Sequence, residues 1–166
     1  MNDNRETVMN WQQICENPRL RDLPYKIELN ERNQIILSPT RLAHGNYQFE
    51  IGRVLFEIMD WQGRIVTECA IRTAKGTKVA DAAWFSEERW NQVRHEYDSP
   101  VAPEICVEVI SSANTDSEMR EKKRLYFQAS AEEVWFCNEG RMTFYSRKRK
   151  RKYSALAPGF PEKIAV

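Results

Sequence analysis

Two short apolar segments, each interrupted by one acid, constrain the fold of this chain more than any other feature of its sequence. Residues 79–85 read VADAAWF and residues 105–110 read ICVEVI, so Asp81 and Glu108 stand among side chains typical of buried strands. Burying an ionised carboxylate without a partner costs several kcal/mol. Each acid therefore either has a structural cation as its partner or converges with the other acid on a bound metal ion. Two such acids in strands of one sheet favour the metal site.

The remaining segments alternate between strand and helix patterns. Residues 26–30 and 34–38 flank a turn and predict a hairpin, which follows a helical pattern over residues 7–16. This order predicts an α/β fold, a mixed sheet flanked by helices, with an N-terminal helix plus hairpin. Further strands are expected over residues 64–72, 79–85, 105–110, 134–137 and 141–146, and helices over residues 41–60, 86–96 and from the capping box at Thr115 and Glu118 to residue 130.

The length of 166 residues argues for one domain over residues 1–166. We expect residues 1–40 to form the N-terminal helix and hairpin, residues 41–137 the core, and residues 138–166 a C-terminal hairpin and tail. No apolar run approaches the roughly 18 residues that span a bilayer, and the first six residues lack the apolar stretch of a signal peptide. We therefore expect a cytoplasmic protein with no membrane partner.

One unbroken basic run stands out against a nearly neutral composition. The chain has 25 basic and 24 acidic residues, yet six of the basic ones are consecutive: Arg147, Lys148, Arg149, Lys150, Arg151 and Lys152. Such a run is suited to contacting DNA phosphates, because each contact releases counterions. An alternative of equal weight is that the basic side chains keep an exposed edge strand from pairing with another chain.

The two acids suit a hard divalent cation. Mg²⁺ (or Mn²⁺) binds carboxylates while waters and phosphate oxygens complete its coordination, and the ion assists phosphodiester hydrolysis. A nearby lysine would orient the water or neutralise the transition state. Lys122 is the candidate, because the helix after the Glu108 strand places Lys122 and Tyr126 on one face at i, i+4. Alternatively, Lys122 is one of several solvated charges within residues 120–124.

These residues resemble the PD-(D/E)XK nuclease superfamily, the restriction-endonuclease-like fold, and more closely its Uma-two branch of restriction endonucleases. Two departures from the pattern are Ala80, in place of a proline before the first acid, and Ile110, in place of a lysine after the second. In this branch the following helix supplies the lysine, and Lys122 matches that position. The shared motifs extend over nearly the whole chain: LPYKIEL at residues 23–29, Ser38-Pro39 before the helix that bears His44, KVAD at 78–81, APEICVEVIS at 102–111, Lys122-x-x-x-Tyr126, EVW at 133–135 and Phe160-Pro161.

The resemblance implies a metal-dependent DNA endonuclease with catalytic residues Asp81, Glu108, Lys122 and His44, of which Asp81 and Glu108 bind the metal. His44 matches the family's histidine in the helix under the site, although it is also consistent with a helix-end histidine bonded to the backbone. The alternative function is a catalytically inactive nucleic-acid-binding module on the same fold, and a third is an enzyme acting on another phosphoester. DNA is the expected partner. Cutting both strands normally needs two active sites, which points to a homodimer.

Overall fold

The computed structural model describes residues 8–165, which form a six-stranded mixed sheet, a separate two-stranded sheet and four helices. The predicted fold class, a mixed sheet flanked by helices with an N-terminal helix plus hairpin, is confirmed. In chain order the elements are α1 (Trp11–Cys15), β1 (Tyr25–Leu29), β2 (Ile35–Pro39), α2 (Leu42–Ile58), β3 (Arg64–Thr73), β4 (Gly76–Phe85), α3 (Glu87–Val93), β5 (Ile105–Ile110), α4 (Asp116–Gln128), β6 (Glu133–Asn138), β7 (Arg141–Ser146) and β8 (Lys150–Arg151).

The N-terminal helix α1 is shorter than its apolar pattern predicts. Asn10 is its N-cap, and the side chains of Asn10 and Gln13 each accept the backbone N–H of the other residue, a capping box that fixes where the helix starts. Thr7, where the predicted helix begins, lies outside the described residues. The hairpin that follows agrees with its prediction, since β1 and β2 pair antiparallel from Tyr25 opposite Pro39 to Leu29 opposite Ile35.

The main sheet has the strand order β3-β4-β5-β6-β7-β8. Its neighbouring strands are antiparallel except for β5 and β6, which are parallel. A parallel pair needs a crossover connection, and α4 provides it. The predicted capping box is present at the start of this helix, because the Thr115 hydroxyl accepts the N–H of Glu118 and the Glu118 carboxylate accepts the N–H of Thr115. This capping box determines the residue at which α4 starts.

Helices cover both faces of the sheet, so β5 is buried on both sides. On one face Ile51 and Leu55 of α2 pack with Val107 and other inward side chains of the central strands. On the other face Tyr126 of α4 packs with Cys106 and its neighbours. A strand buried on both faces carries a nearly continuous apolar run, which explains why the β5 segment is the most apolar in the sequence. Glu108 is the exception, because it is a buried acid within this apolar strand.

The basic run forms one outer edge of the sheet. Lys150–Arg151 is β8, which pairs with β7 at the end of the strand order. Arg147 turns back and donates to the carbonyl oxygen of Phe127 at 2.8 Å, at the end of α4. Arg147, Lys148, Arg149, Lys150 and Lys152 are exposed, although the Arg147 guanidinium is bound to the Phe127 carbonyl. This position fits the edge-protecting interpretation, and it also presents the other four of these cationic groups to solvent.

The longest of the described helices, α2, has 17 residues. Arg53 on its surface forms ion pairs with Glu50 at 2.9 Å and with Glu57 at 2.7 Å.

Between residues 8 and 165 the structure contains no helix that is both long and apolar enough to cross a membrane.

Candidate functional site

Strands β4 and β5 separate at Asp81 and Glu108, and the candidate site lies in this fork. The backbone pairing of the two strands ends with Ala82 opposite Val107. Beyond that pair, the Asp81 carboxylate replaces the missing strand partner, because its Oδ2 accepts the backbone N–H of Val109 at 2.6 Å. Both acids are buried, with Asp81 1% and Glu108 3% exposed. The two predicted acids thus lie on adjacent strands of one sheet.

A change in strand alternation accompanies the position of Asp81. Ala80 and Ala83 pack into the same cluster on the α4 side of the sheet, although they are three residues apart. Residues that share a face of a regular strand are an even number apart. Glu68 of β3 and Asp81 are left unpaired in the register, between the pairs Thr67–Ala82 and Cys69–Ala80. Glu68 has a left-handed φ of +51°, which is uncommon for a residue with a side chain. Such backbone strain is concentrated at functional sites, where surrounding structure holds it in place.

Two nitrogen groups face the Asp81 carboxylate. The Nζ of Lys26 in β1 lies 2.6 Å from Oδ1, and the Nε2 of His44 in α2 lies 3.0 Å from the same oxygen. Burial by itself would raise the pKa of Asp81, but Lys26 and His44 together hold that pKa below its usual value. The carboxylate in turn raises the pKa of the His44 imidazole. Asp81 is therefore ionised at neutral pH.

Glu108 is held by α4 and by the same Lys26 ammonium group. Lys122 donates to Glu108 Oε2 at 3.1 Å and to Oε1 at 3.2 Å, and the Tyr126 hydroxyl donates to Oε1. Lys26 Nζ lies 3.8 Å from Oε2, so one ammonium group contacts both predicted acids. Burial raises the pKa of Glu108 above its usual value, although Lys122 and Lys26 oppose this effect. Of the two acids, Glu108 takes up a proton more readily.

A third buried acid, Glu28 of β1, joins the hairpin to this network. Its Oε1 lies 2.8 Å from Lys122 Nζ and accepts the backbone N–H of Val79 at 2.7 Å. The hairpin is thereby fastened to β4 by a side chain. Burial by itself would lower the pKa of Lys122, but Glu108 and Glu28 raise that pKa above its usual value. Lys122 is thus a charged group directed into the fork, where its position in the sequence predicts it to lie.

His44, Glu68 and Asp81 form a compact group of metal-ligating side chains. One donor atom from each lies within 4.8 Å of the other two. Gln48, one turn after His44 on α2, donates through Nε2 to Glu68 and, at 3.5 Å, to Asp81 Oδ1. His44 Nε2 is buried, and its 3.0 Å contact with Asp81 lacks hydrogen-bond geometry, so that among residues 8–165 this nitrogen has no hydrogen-bond partner. One imidazole and two carboxylates are donors that divalent ions accept.

The structure brings four of the predicted site residues together and leaves the basic run apart. Asp81, Glu108, Lys122 and His44 surround the fork and are linked through Lys26. The basic run lies at the edge strand, separated from β5 by β6 and β7. The predicted catalytic group and the predicted DNA-contacting group are therefore two separate regions of one sheet.

Three residues of the site do not emerge from sequence reasoning: Lys26, Glu28 and Glu68. Lys26 and Glu28 are two residues apart in β1 and so share a face of the strand. Opposite charges on one face of a short hairpin are typical of a solvated surface, so the signal for a buried pair is weak. Glu68 lies in a strand whose polar residues alternate with apolar ones, which is typical of an exposed face. Only its left-handed backbone distinguishes it.

Comparison with known proteins reveals the family to which the chain belongs. The crystal structure of a protein from Anabaena variabilis, described as a "putative nuclease", has the same fold with a TM-score of 0.71 and 15% sequence identity, over 90% of this chain and 91% of that one. A search of curated proteins finds no match. The model of the Uma2 family, described as "Putative restriction endonuclease", matches residues 11–164. This match covers nearly the whole sequence, and the chain is therefore a member of the Uma2 family.

Proposed function

We propose that this protein is a metal-dependent endonuclease that hydrolyses DNA phosphodiester bonds, with Asp81 and Glu108 as its paired acids. Membership of the Uma2 family supports a nuclease function, and so does the resemblance of the fold to a described nuclease. The arrangement of acids at the end of a strand pairing supplies the residue types that such a reaction needs.

The observation that carries the proposal is the charge balance of the fork. Its three buried carboxylates, with a fourth at the exposed rim, outnumber its two ammonium groups, and an excess of negative charge among buried groups is costly unless a cation neutralises it. A bound divalent cation would neutralise this excess. The carboxylates are those of Glu28, Asp81 and Glu108, which are buried, and of Glu68 at the exposed rim, and the ammonium groups are those of Lys26 and Lys122.

Asp81 and Glu108 would hold the ion, which we propose to be Mg²⁺ or Mn²⁺. When bound, the ion polarises a phosphate oxygen and lowers the pKa of a bound water. Lys122 directs its positive charge toward the negative charge that develops on the phosphate, while Glu28 keeps the ammonium group in place. The Tyr126 hydroxyl donates to Glu108 and fixes the orientation of that carboxylate.

Exchanging Asp81 for asparagine is expected to lower cleavage of supercoiled plasmid about a thousandfold or more, because an ion worth several kcal/mol of transition-state stabilisation is no longer held. Nicking is measured with Mg²⁺ and with Mn²⁺ at equal protein concentration. Asp22→Asn, at an exposed position, makes the same chemical change away from the fork and should cleave as the wild type does. Unchanged cleavage by a folded Asp81→Asn variant would remove Asp81 from the site.

The exposed part of the basic run is proposed to contact the DNA backbone. Its residues 149, 150 and 152 border a depression of about 650 Å³, whose lining also includes Arg151, Tyr153 and Gly159. Changing Lys148, Arg149, Lys150 and Lys152 to serine is expected to flatten the dependence of log Kd on log salt by about 0.9 for each phosphate that the variant no longer binds. Fluorescence anisotropy with duplexes of unrelated sequence measures the slope, and the weakening should be similar for all of them.

The matched control for the basic run carries four serines at exposed basic residues scattered over the surface: Arg19, Arg21, Arg94 and Lys163. Its net charge equals that of the basic-run variant, so general electrostatic attraction falls by the same amount in both. Equal salt slopes for the two variants would leave the run with its edge-protecting role alone.

A non-catalytic nucleic-acid-binding module is the second candidate, favoured by one observation. Lys26 and Lys122 already pair with Asp81 and Glu108, so the acids have structural cations as partners. This candidate predicts salt-dependent DNA binding without cleavage under either metal ion.

If duplexes are cut on both strands, we propose that a homodimer supplies the two active sites.

A further inference from the structure

Three side chains from three different elements converge beside the acid pair. His44 comes from α2, Glu68 from β3 and Asp81 from β4, and one donor atom of each lies within 4.8 Å of the others. Ligand atoms about 2.1 Å from an ion are about 4.2 Å apart when they lie on opposite sides of it. The three donors therefore need only small adjustments to reach one ion. Glu108 is not part of this group.

The His44 imidazole is directed at the group without a hydrogen bond of its own. Its Nε2 is buried and lies 3.0 Å from Asp81 Oδ1, yet within residues 8–165 it makes no hydrogen bond. A buried polar atom in a folded protein normally has a partner, and one that lacks it needs an explanation. A metal ion held by Nε2 together with the carboxylates of Asp81 and Glu68 would be the partner that this atom lacks.

Two features position Glu68, and neither contributes to strand pairing in the sheet. Its left-handed φ of +51° interrupts the alternation of β3. Its carboxylate accepts from Gln48, which lies one helical turn after His44 on α2. Hydrogen bonds of this kind orient the ligands around a metal ion and are part of its site. Both features hold the carboxylate next to Asp81.

We propose that His44, Glu68 and Asp81 form a site that binds Mn²⁺ in preference to Mg²⁺. Mg²⁺ takes oxygen ligands almost exclusively, whereas an imidazole nitrogen suits transition metals. The inference rests on the proposed function for the role of the ion, but not for its binding. It assigns His44 as the residue that sets metal choice and Glu68 as a ligand outside the acid pair.

The test measures binding of each metal alone, without DNA. Metal-free wild type is titrated with Mn²⁺ under electron paramagnetic resonance, and with Mg²⁺ in competition. We expect Mn²⁺ to bind at least about tenfold more tightly than Mg²⁺, and His44→Gln, which offers an amide oxygen, to remove most of this preference. Glu68→Gln should weaken the binding of both metals. His95→Gln is the matched control, since His95 is exposed and outside the group.

The outcomes separate this inference from the proposed function. A Mn²⁺ preference that is the same in wild type and His44→Gln, or no Mn²⁺ binding by wild type, overturns the assignment. If His44→Gln does not fold, a change in the nitrogen hyperfine signal of bound wild type on ¹⁵N-histidine labelling tests the same contact, and no histidine coupling overturns it. Mn²⁺ bound through His44 without any DNA cleavage would leave the inference standing and overturn the proposed nuclease.

Discussion

Exchanging Lys122 for methionine is expected to reduce DNA cleavage about 100-fold to 1,000-fold and to destabilise the protein as well. The lower rate follows from removing a positive charge directed at the reacting phosphate. The lower stability, by about 3 to 5 kcal/mol, follows because Glu28 and Glu108 are left buried without this cation. Single-turnover cleavage of plasmid and thermal melting measure the two effects separately.

The neighbouring lysine provides the matched control. Lys123 Nζ lies 3.9 Å from the centroid of the Tyr145 ring, so it faces away from the fork. Lys123→Met should cleave DNA at the wild-type rate. Because Lys122→Met removes a buried cation, the double variant Lys122→Met/Glu28→Gln serves as a second probe: it should recover part of the stability and none of the cleavage. Wild-type cleavage by either Lys122 variant would show that this lysine takes no part in the reaction.

Exchanging Lys26 for methionine is expected to make the protein less stable without metal and more responsive to it. Lys26 contacts Asp81 and Glu108, so its removal leaves two acids facing each other, at a cost of about 3 to 5 kcal/mol. For a chain of this size, 1 kcal/mol corresponds to about 2 to 4 °C in Tm. A divalent cation can replace the missing positive charge, so added Mn²⁺ should raise the Tm of the variant further than that of the wild type.

The control for this experiment is Lys78→Met. Lys78 lies on β4, close to the fork, and donates to the backbone carbonyl of Leu29 at 2.9 Å. Its partner is therefore a neutral group and not a carboxylate. The Tm of Lys78→Met should rise with added Mn²⁺ by the same amount as the Tm of the wild type. A metal-induced rise in Tm that is no larger for Lys26→Met than for wild type would show that Lys26 and the metal do not compete for the same carboxylates.

Local sequence patterns are sufficient to predict most of the fold. The β5 segment is recognisable because helices cover both of its faces, and the start of α4 because Thr115 and Glu118 satisfy the first backbone N–H groups of the helix. The i, i+4 spacing places Lys122 and Tyr126 on one helix face, and both contact Glu108. These features depend on residues close together in the chain.

The rest of the site depends on contacts between distant residues. Lys26 reaches Asp81 across 55 positions because the two-stranded sheet packs against β4, and no local periodicity records that packing. Glu68 lies in a strand that looks regular, but its left-handed backbone changes the alternation where it faces Asp81. A strictly alternating strand predicts the wrong side for such positions, so the second carboxylate beside His44 is visible only in three dimensions.

Metal removal and restoration test the central claim most directly. Wild-type protein is treated with EDTA, dialysed, and incubated with supercoiled plasmid alone, with Mg²⁺ and with Mn²⁺, and nicked and linear products are quantified over time. We expect no products without metal and restored cleavage when a divalent ion is added, with Asp81→Asn inactive throughout. Cleavage that persists in excess EDTA, or its absence under both ions, would contradict the assignment of this fork as the centre of a metal-dependent nuclease.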